Sequence, residues 1–333
     1  MKDFIKKIIK FCIPLVVIMF VFVMLTIIIH KPFTSNTHKI ESSKVKLNRG
    51  NYIFNILESK KAKPNSFILG GSRSQAIRAD SLTKKTKNKY NFFHFDSSSE
   101  NIKGIENKIH YLIEKKYELK QILIIIDEGL LSGDDNKLPE DFHLITSPYK
   151  LTKNIILYKQ YLLTFTNPRF LIGSIDYYIF NRYRNYMKRF FKSPGFNEKI
   201  NPNTGDITYS AEFEIKEDST QYYNRMRKGG HFIQIEKNQN QFFHKQPLEI
   251  LNSVIDELKK RNIDYLVVFT PRHKKIGVLK SDLDILKQKN INFIDLSDLG
   301  QWNYEEGLWY ENSHFRRIKI GKYIEDKIAE EIK

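Results

Sequence analysis

A chain of 333 residues with 41% hydrophobic and 13% aromatic content carries enough apolar side chain for a packed core, which excludes wholesale disorder. The formal charge of +17 is spread along the chain, and no zinc-finger spacing or basic arm accompanies it, so it reads as a diffusely basic surface with no nucleic-acid partner. The single cysteine, Cys12, rules out an internal disulfide and a cysteine metal centre, and the sequence carries no metal or cofactor motif.

Residues 1–10 hold Lys2, Lys6, Lys7 and Lys10 against Asp3 alone. Phe11 to Ile29 (FCIPLVVIMFVFVMLTIII) then runs 19 residues without a charge, and at 1.5 Å per residue this covers about 30 Å, the hydrocarbon thickness of a bilayer. The flanking lysines predict a cytoplasmic N-terminus and a translocated remainder. His30-Lys31-Pro32-Phe33 lacks the small residues of a cleavage site, so residues 11–30 are expected to stay as a single-pass anchor in a bacterial cytoplasmic membrane. Residues 31–48 are polar and aperiodic, as a tether is.

From residue 49 onward one α/β domain is expected. Ser66–Leu69, Tyr90–Phe95, Gln121–Ile126 (QILIII), Asp264–Thr270 and Asn292–Leu296 read as strands. Ser72–Leu82, Ile102–Lys116, Pro247–Arg261, Ser281–Lys289 and Lys319–Ile332 have helical spacing. Continuous apolar strands between helices predict a doubly wound parallel sheet covered on both faces. The rhythm is interrupted at about residues 131–243 by a large, mostly helical insertion. Within it, Tyr177–Lys192 (YYIFNRYRNYMKRFFK) mixes aromatic and basic residues as membrane-surface segments do.

Ligands of such a sheet gather at the carboxyl ends of strands. Gly70-Gly71-Ser72-Arg73 follows the first strand there, with glycines for a tight turn. Ser72 suits either a helix cap or a nucleophile beside backbone N–H groups. Far along the chain, Glu311-Asn312-Ser313-His314 places a carboxylate three residues before an imidazole, a spacing that lets the acid orient a general base. Arg73 suits an anionic substrate group or an ion pair with Asp127. Pro271-Arg272-His273 ends another strand at the same edge, and His273 reads as a loop histidine or a spare base.

Taken together, the glycine-serine turn after the first strand and the acid-x-x-His before the last helix resemble the SGNH/GDSL hydrolase superfamily. The Gly-Ser-Arg variant is similar to membrane-anchored members related to polysaccharide O-acetylation and D-alanyl transfer proteins. The likeness covers about residues 62–130 and 245–330. It implies a flavodoxin-like three-layer fold, with Ser72 as nucleophile, His314 as general base and Glu311 as its acid. Gly71, Arg73, Ser97 and Asp127 would contact the oxyanion or substrate. The implied function is a serine esterase or acyltransferase acting on acyl, chiefly acetyl, groups of a cell-envelope glycan or other acylated substrate. The chain departs from the family in having Glu311 where Asp is usual and Asp127-Glu128-Gly129 where an asparagine is expected. Those departures leave open a catalytically degenerate scaffold, or a glycan-binding partner of a membrane O-acyltransferase.

Overall fold

A computed structural model describes residues 2–30, 45–46, 48–59, 63–127, 130–131, 163–164, 166–194, 199–232, 243–273 and 277–332. In chain order the elements are α1 (Lys2–His30), α2 (Arg49–Glu58), β1 (Ser66–Gly70), a 3-10 turn (Ser72–Ala76), α3 (Ala79–Lys85), β2 (Phe92–His94), α4 (Ile102–Glu114) and β3 (Gln121–Ile126). They continue as α5 (Pro168–Tyr178), β4 (Lys199–Ile200), β5 (Ile207–Thr208), α6 (Ser210–Glu217), α7 (Ser219–Lys228) and α8 (Lys245–Lys260). The last are β6 (Asp264–Phe269), α9 (Lys280–Gln288), β7 (Phe293–Asp295), a π-helical turn (Arg317–Gly321) and α10 (Lys322–Glu331).

Five strands form one parallel sheet in the order β2-β1-β3-β6-β7. The chain leaves β1 in one direction for β2, then returns to run outward through β3, β6 and β7. The gap between the carboxyl ends of β1 and β3 is therefore the switch point where such sheets hold ligands. β3 is apolar at nearly every position because helices cover both of its faces, and Ile122 to Ile126 are all essentially inaccessible. Asn101 caps α4 by accepting the Gly104 N–H at 2.8 Å, and Ile102, Ile105, Ile109 and Leu112 form its buried stripe.

The chain divides into two compact units, residues 1–48 with 139–196, and residues 49–138 with 197–333. The second contains the sheet and a core that includes Ile68, Leu123, Val268, Trp309, Phe315 and Ile324. The insertion is thus split between the units. Residues 199–232 belong with the sheet, whereas α5 belongs to the other unit. There Val45, Phe170, Tyr177, Met187, Phe190 and Phe191 make a small core of their own, with Phe170 and Phe191 stacked at 5.2 Å. Tyr177–Lys192 runs from the end of α5 through a 3-10 turn (Asn185–Arg189), with Tyr177, Phe190 and Phe191 buried and Phe180 and Tyr186 exposed.

Two local expectations differ from the fold, and α2 stands where no element was expected. Arg49–Glu58 is helical, with Tyr52, Ile53, Ile56 and Leu57 buried. Its Arg49 forms a buried ion pair with Asp96, which follows β2. Ser72–Leu82 is not one helix but a 3-10 turn and α3. The break occurs because Asp206 from the insertion accepts the N–H groups of Ala79 (2.8 Å) and Asp80 (3.2 Å) and starts a new helix there. Val45 and Lys46, at the end of the expected tether, are pinned to Phe191 and Phe190.

α1 is one helix of 29 residues, with large apolar side chains from Phe4 to Val21 exposed. Among the described residues no helix is long and apolar enough to cross a membrane. In α1 the described side chains end at Val21 apart from Met24, so they include the lysines but only part of the uncharged run that the sequence continues to Ile29.

Candidate active site

Ser72 opens the 3-10 turn after β1, and Gly71 holds the cap position without any side-chain bond. The first bond of the turn runs from the Ser74 N–H to Gly71 O at 3.2 Å, reinforced by Ser74 Oγ at 2.8 Å. The N–H groups of Ser72 and Arg73 lie ahead of that bond, with no acceptor inside the turn. Gly71 lies close to the end of β3, and a Cβ there would come within 3.0 Å of Asp127 Oδ2, so the carboxylate would have to give slightly. Ser72 is not a cap. Its Oγ lies 2.5 Å from His314 Nε2.

His314 sits in a tight loop between two buried aromatic residues. Trp309 and Phe315 bridge across it, Tyr310 donates its N–H to His314 O at 2.8 Å, and Arg316 donates its N–H to Leu308 O at 2.7 Å. The imidazole Nδ1 is hydrogen-bonded to Glu311 Oε1. Ser313 donates to the same carboxylate from its N–H (2.8 Å to Oε2) and from its hydroxyl (2.8 and 2.9 Å). Burial tends to raise the Glu311 pKa, but the His314 and Ser313 contacts outweigh it and bring the acid down to about 2. With Nδ1–H donating to that carboxylate, Nε2 is left as the acceptor for the Ser72 hydroxyl.

The insertion contributes to this constellation. Tyr209 donates from its hydroxyl to Ser72 O at 2.9 Å, and its ring centroid lies 6.5 Å from that of His314. Glu212 accepts from Tyr310 at 2.8 Å and from Arg316 Nε at 3.0 Å. Burial raises the Glu212 pKa, but the Arg316 and Tyr310 hydrogen bonds prevail and lower it, while burial and the Glu212 charge raise that of Tyr310. This network fixes the far side of the His314 loop. His231 Nδ1 stands 3.9 Å from Glu311 Oε2.

The remaining sequence candidates separate. Arg73 is at the site, donating from Nε to Ser313 O at 2.6 Å, with an Nη 3.8 Å from Asp127 Oδ2. Asp127 ends β3 beside Gly71 and accepts the Leu130 N–H at 3.2 Å. Ser97 does not present a donor to Ser72. It is fully buried, its N–H bonds Gly70 O at 3.2 Å and its Oγ accepts from Lys108 at 2.7 Å, so it serves the fold. His273 is buried in edge contact with Phe232 (4.9 Å) and Trp309 (5.5 Å), a core position that excludes it as a spare base.

Sequence reasoning missed two residues. Tyr209 carries no motif and reaches the site only through the split insertion. Arg272 lay in a flagged tripeptide, but the neighbouring histidine drew attention instead. Burial, and after it the Arg73 charge, depress the Arg272 pKa, opposed by Asp127 and Glu311. No potential metal site of three or more His, Cys, Asp or Glu residues occurs among the described residues.

No family model matches this chain, and no curated protein matches it. The site is therefore defined by its own geometry: a hydroxyl, an imidazole and a carboxylate in series at the switch point of a parallel α/β sheet.

Proposed function

We propose that the chain is a serine acyl-transfer enzyme, an esterase or acyltransferase. The single observation that carries this reading is the continuous Ser72–His314–Glu311 chain, joining residues 242 apart in sequence. Ser72 Oγ attacks the ester carbonyl as its proton passes to His314 Nε2, and Glu311 stabilises the imidazolium formed. The alcohol leaves with that proton. Water or an acceptor hydroxyl then gives its proton to His314 and releases the acyl group from Ser72. The N–H groups at the start of the 3-10 turn supply the oxyanion donors.

In its particulars the reading follows the resemblance to SGNH/GDSL hydrolases: a single-pass protein of a bacterial cytoplasmic membrane, anchored by residues 11–30, removing or transferring acetyl groups on a cell-envelope glycan. The uncharged Phe11–Ile29 run behind its lysines supports the anchor.

The full chain in detergent is expected to hydrolyse an aryl acetate and to label at Ser72 with a fluorophosphonate. Ser72→Ala abolishes both. Equal turnover by that variant removes Ser72 from the mechanism. A non-catalytic scaffold is favoured by one feature, the Asp127 carboxylate beside Gly71, where a charge opposes a forming oxyanion. Absence of labelling in a folded chain selects that alternative.

A further inference from the structure

The helix α5 is apolar on two opposite faces. Phe170, Gly173, Ser174 and Tyr177 make the buried face, which includes part of the small core. Ile172, Ile175 and Ile179, three and four residues apart, fall on the other side at helical pitch. Ile172 is 55% exposed and Ile179 68%, and Phe180, next in the chain, is 57% exposed. Arg182 donates its N–H to Asp176 O at 2.8 Å, and Arg184 Nε lies 2.9 Å from Asp176 Oδ2. Asp176 stands one turn beyond Ile172, so the chain after α5 folds back beside the exposed stripe. Across residues 166–194 the exposed cations Arg169, Arg182, Arg184, Lys188 and Arg189 meet one acid, Asp176, which Arg184 already pairs. Among the described residues Arg182 and Lys188 form no ion pair. α5 also packs against α1 in the same unit, and α1 exposes large apolar side chains from Phe4 to Val21. Exposed isoleucine beside exposed arginine matches the boundary of an anionic bilayer, where apolar side chains enter the acyl edge and cations stay at the headgroups. A second copy of the chain would set cations against cations, and a soluble polyanion would leave the isoleucines in water.

We propose that the outer face of α5 and the segment after it rest on the surface of an anionic phospholipid bilayer. Ile172, Ile179 and Phe180 enter the acyl boundary, and Arg182, Arg184 and Lys188 meet the headgroups. This contact goes beyond the acyl-transfer reading and gives the chain an attachment separate from the proposed α1 anchor. Each cation near an anionic surface is worth about fivefold in binding, so the contact strengthens with the share of anionic lipid and weakens with salt.

The test uses the full chain carrying Cys12→Ser in nanodiscs of phosphatidylcholine, alone or mixed with phosphatidylglycerol. Ile179→Cys is labelled with an environment-sensitive fluorophore. Lys287→Cys, on α9 with its side chain 64% exposed, serves as the aqueous control. Nitroxide-bearing lipid is expected to quench the label at position 179 at least about twofold more than the label at position 287 in the anionic discs. The quenching falls in phosphatidylcholine alone, and Arg182→Gln with Lys188→Gln lowers it in the anionic discs. All these positions are exposed, so the substitutions leave the small core intact. A label at position 179 quenched no more than the control overturns the proposal, as does quenching that is equal in both lipids or unchanged by the paired substitutions. A label on the natural Cys12, which is exposed, reports on α1 separately. Cys12 in lipid with position 179 in water sinks only this inference, whereas the reverse leaves it standing and removes the anchor. Fluorophosphonate labelling of Ser72 tests the acyl-transfer reading independently of both.

Discussion

Glu311 takes the acid position with one methylene more than the aspartate usual in such triads. The loop accommodates the extra length by folding the carboxylate back, where the Ser313 N–H and hydroxyl hold it against His314 Nδ1. Glu311→Gln keeps the shape but removes the charge that stabilises the imidazolium, and kcat is expected to fall on the order of 10³–10⁴ in aryl-acetate hydrolysis. The same residue sets a pH window. Its folded pKa of about 2 lies below the ordinary 4.5, so its stabilisation is complete above pH 4.5 and is lost as pH falls toward 2. The contribution is at most about 3 kcal/mol. Urea unfolding should show the chain more stable than Glu311→Gln at pH 6, with the gap closing as pH is lowered through that window. A gap that stays constant contradicts the assignment. Tyr209→Phe removes one donor to Ser72 O and should lower kcat/KM by less than about tenfold while Ser72 still labels. The triad was legible because each member sits in a local pattern, a Gly-Gly-Ser turn after an apolar run and an acid three residues from a histidine. Ser97 misled because its position after β2 is visible in the sequence, whereas the bond from its N–H to Gly70 O is not.

The strands and α4 and α8 follow apolar patterns that survive in the structure because each buries its apolar stripe, whereas α9 buries only Asp282 and Leu286. What pattern alone did not yield were boundaries imposed from a distance. α3 begins at Ala79 because Asp206, over a hundred residues later, caps it. Asp206→Ala is expected to destabilise the chain by about 1–2 kcal/mol in thermal or urea unfolding, with a larger effect if buried His94, 3.6 Å away, loses its neighbour. The π-helical turn before α10 has a similar origin. A Cβ on Gly321 would overlap the Ala76 carbonyl oxygen at the end of the serine turn. Gly321→Ala therefore forces α10 off the Ser72 turn, at about 1–3 kcal/mol. Because both ends of the Ser72–His314 contact are attached to the elements that must separate, kcat should fall along with stability. A variant that loses stability at full activity would show that the two elements can part without moving the triad.

For the molecule as a whole, the insertion is the part that sequence reading treated as a single block and the fold divides. No composition change marks the division near residue 197, so nothing short of the contacts reveals it. Residues 199–232 share a unit with the sheet and supply Asp206, Tyr209 and Glu212, while α5 and the turn after it close around Phe170 and Phe191 with Val45. Two units with separate apolar cores are expected to unfold as separate cooperative steps. Phe191→Ala removes a fully buried ring from the smaller core, a loss of about 3–5 kcal/mol. That is a large share of a core that, among the described residues, holds six buried side chains. Calorimetry should then show one transition lowered or lost and the other unmoved, with Ser72 labelled at the same rate as before, since no residue of the triad or of the Glu212 network lies in that unit. A single transition shifted as a whole, with labelling slowed in parallel, would mean that the small core sustains the active site as well as itself.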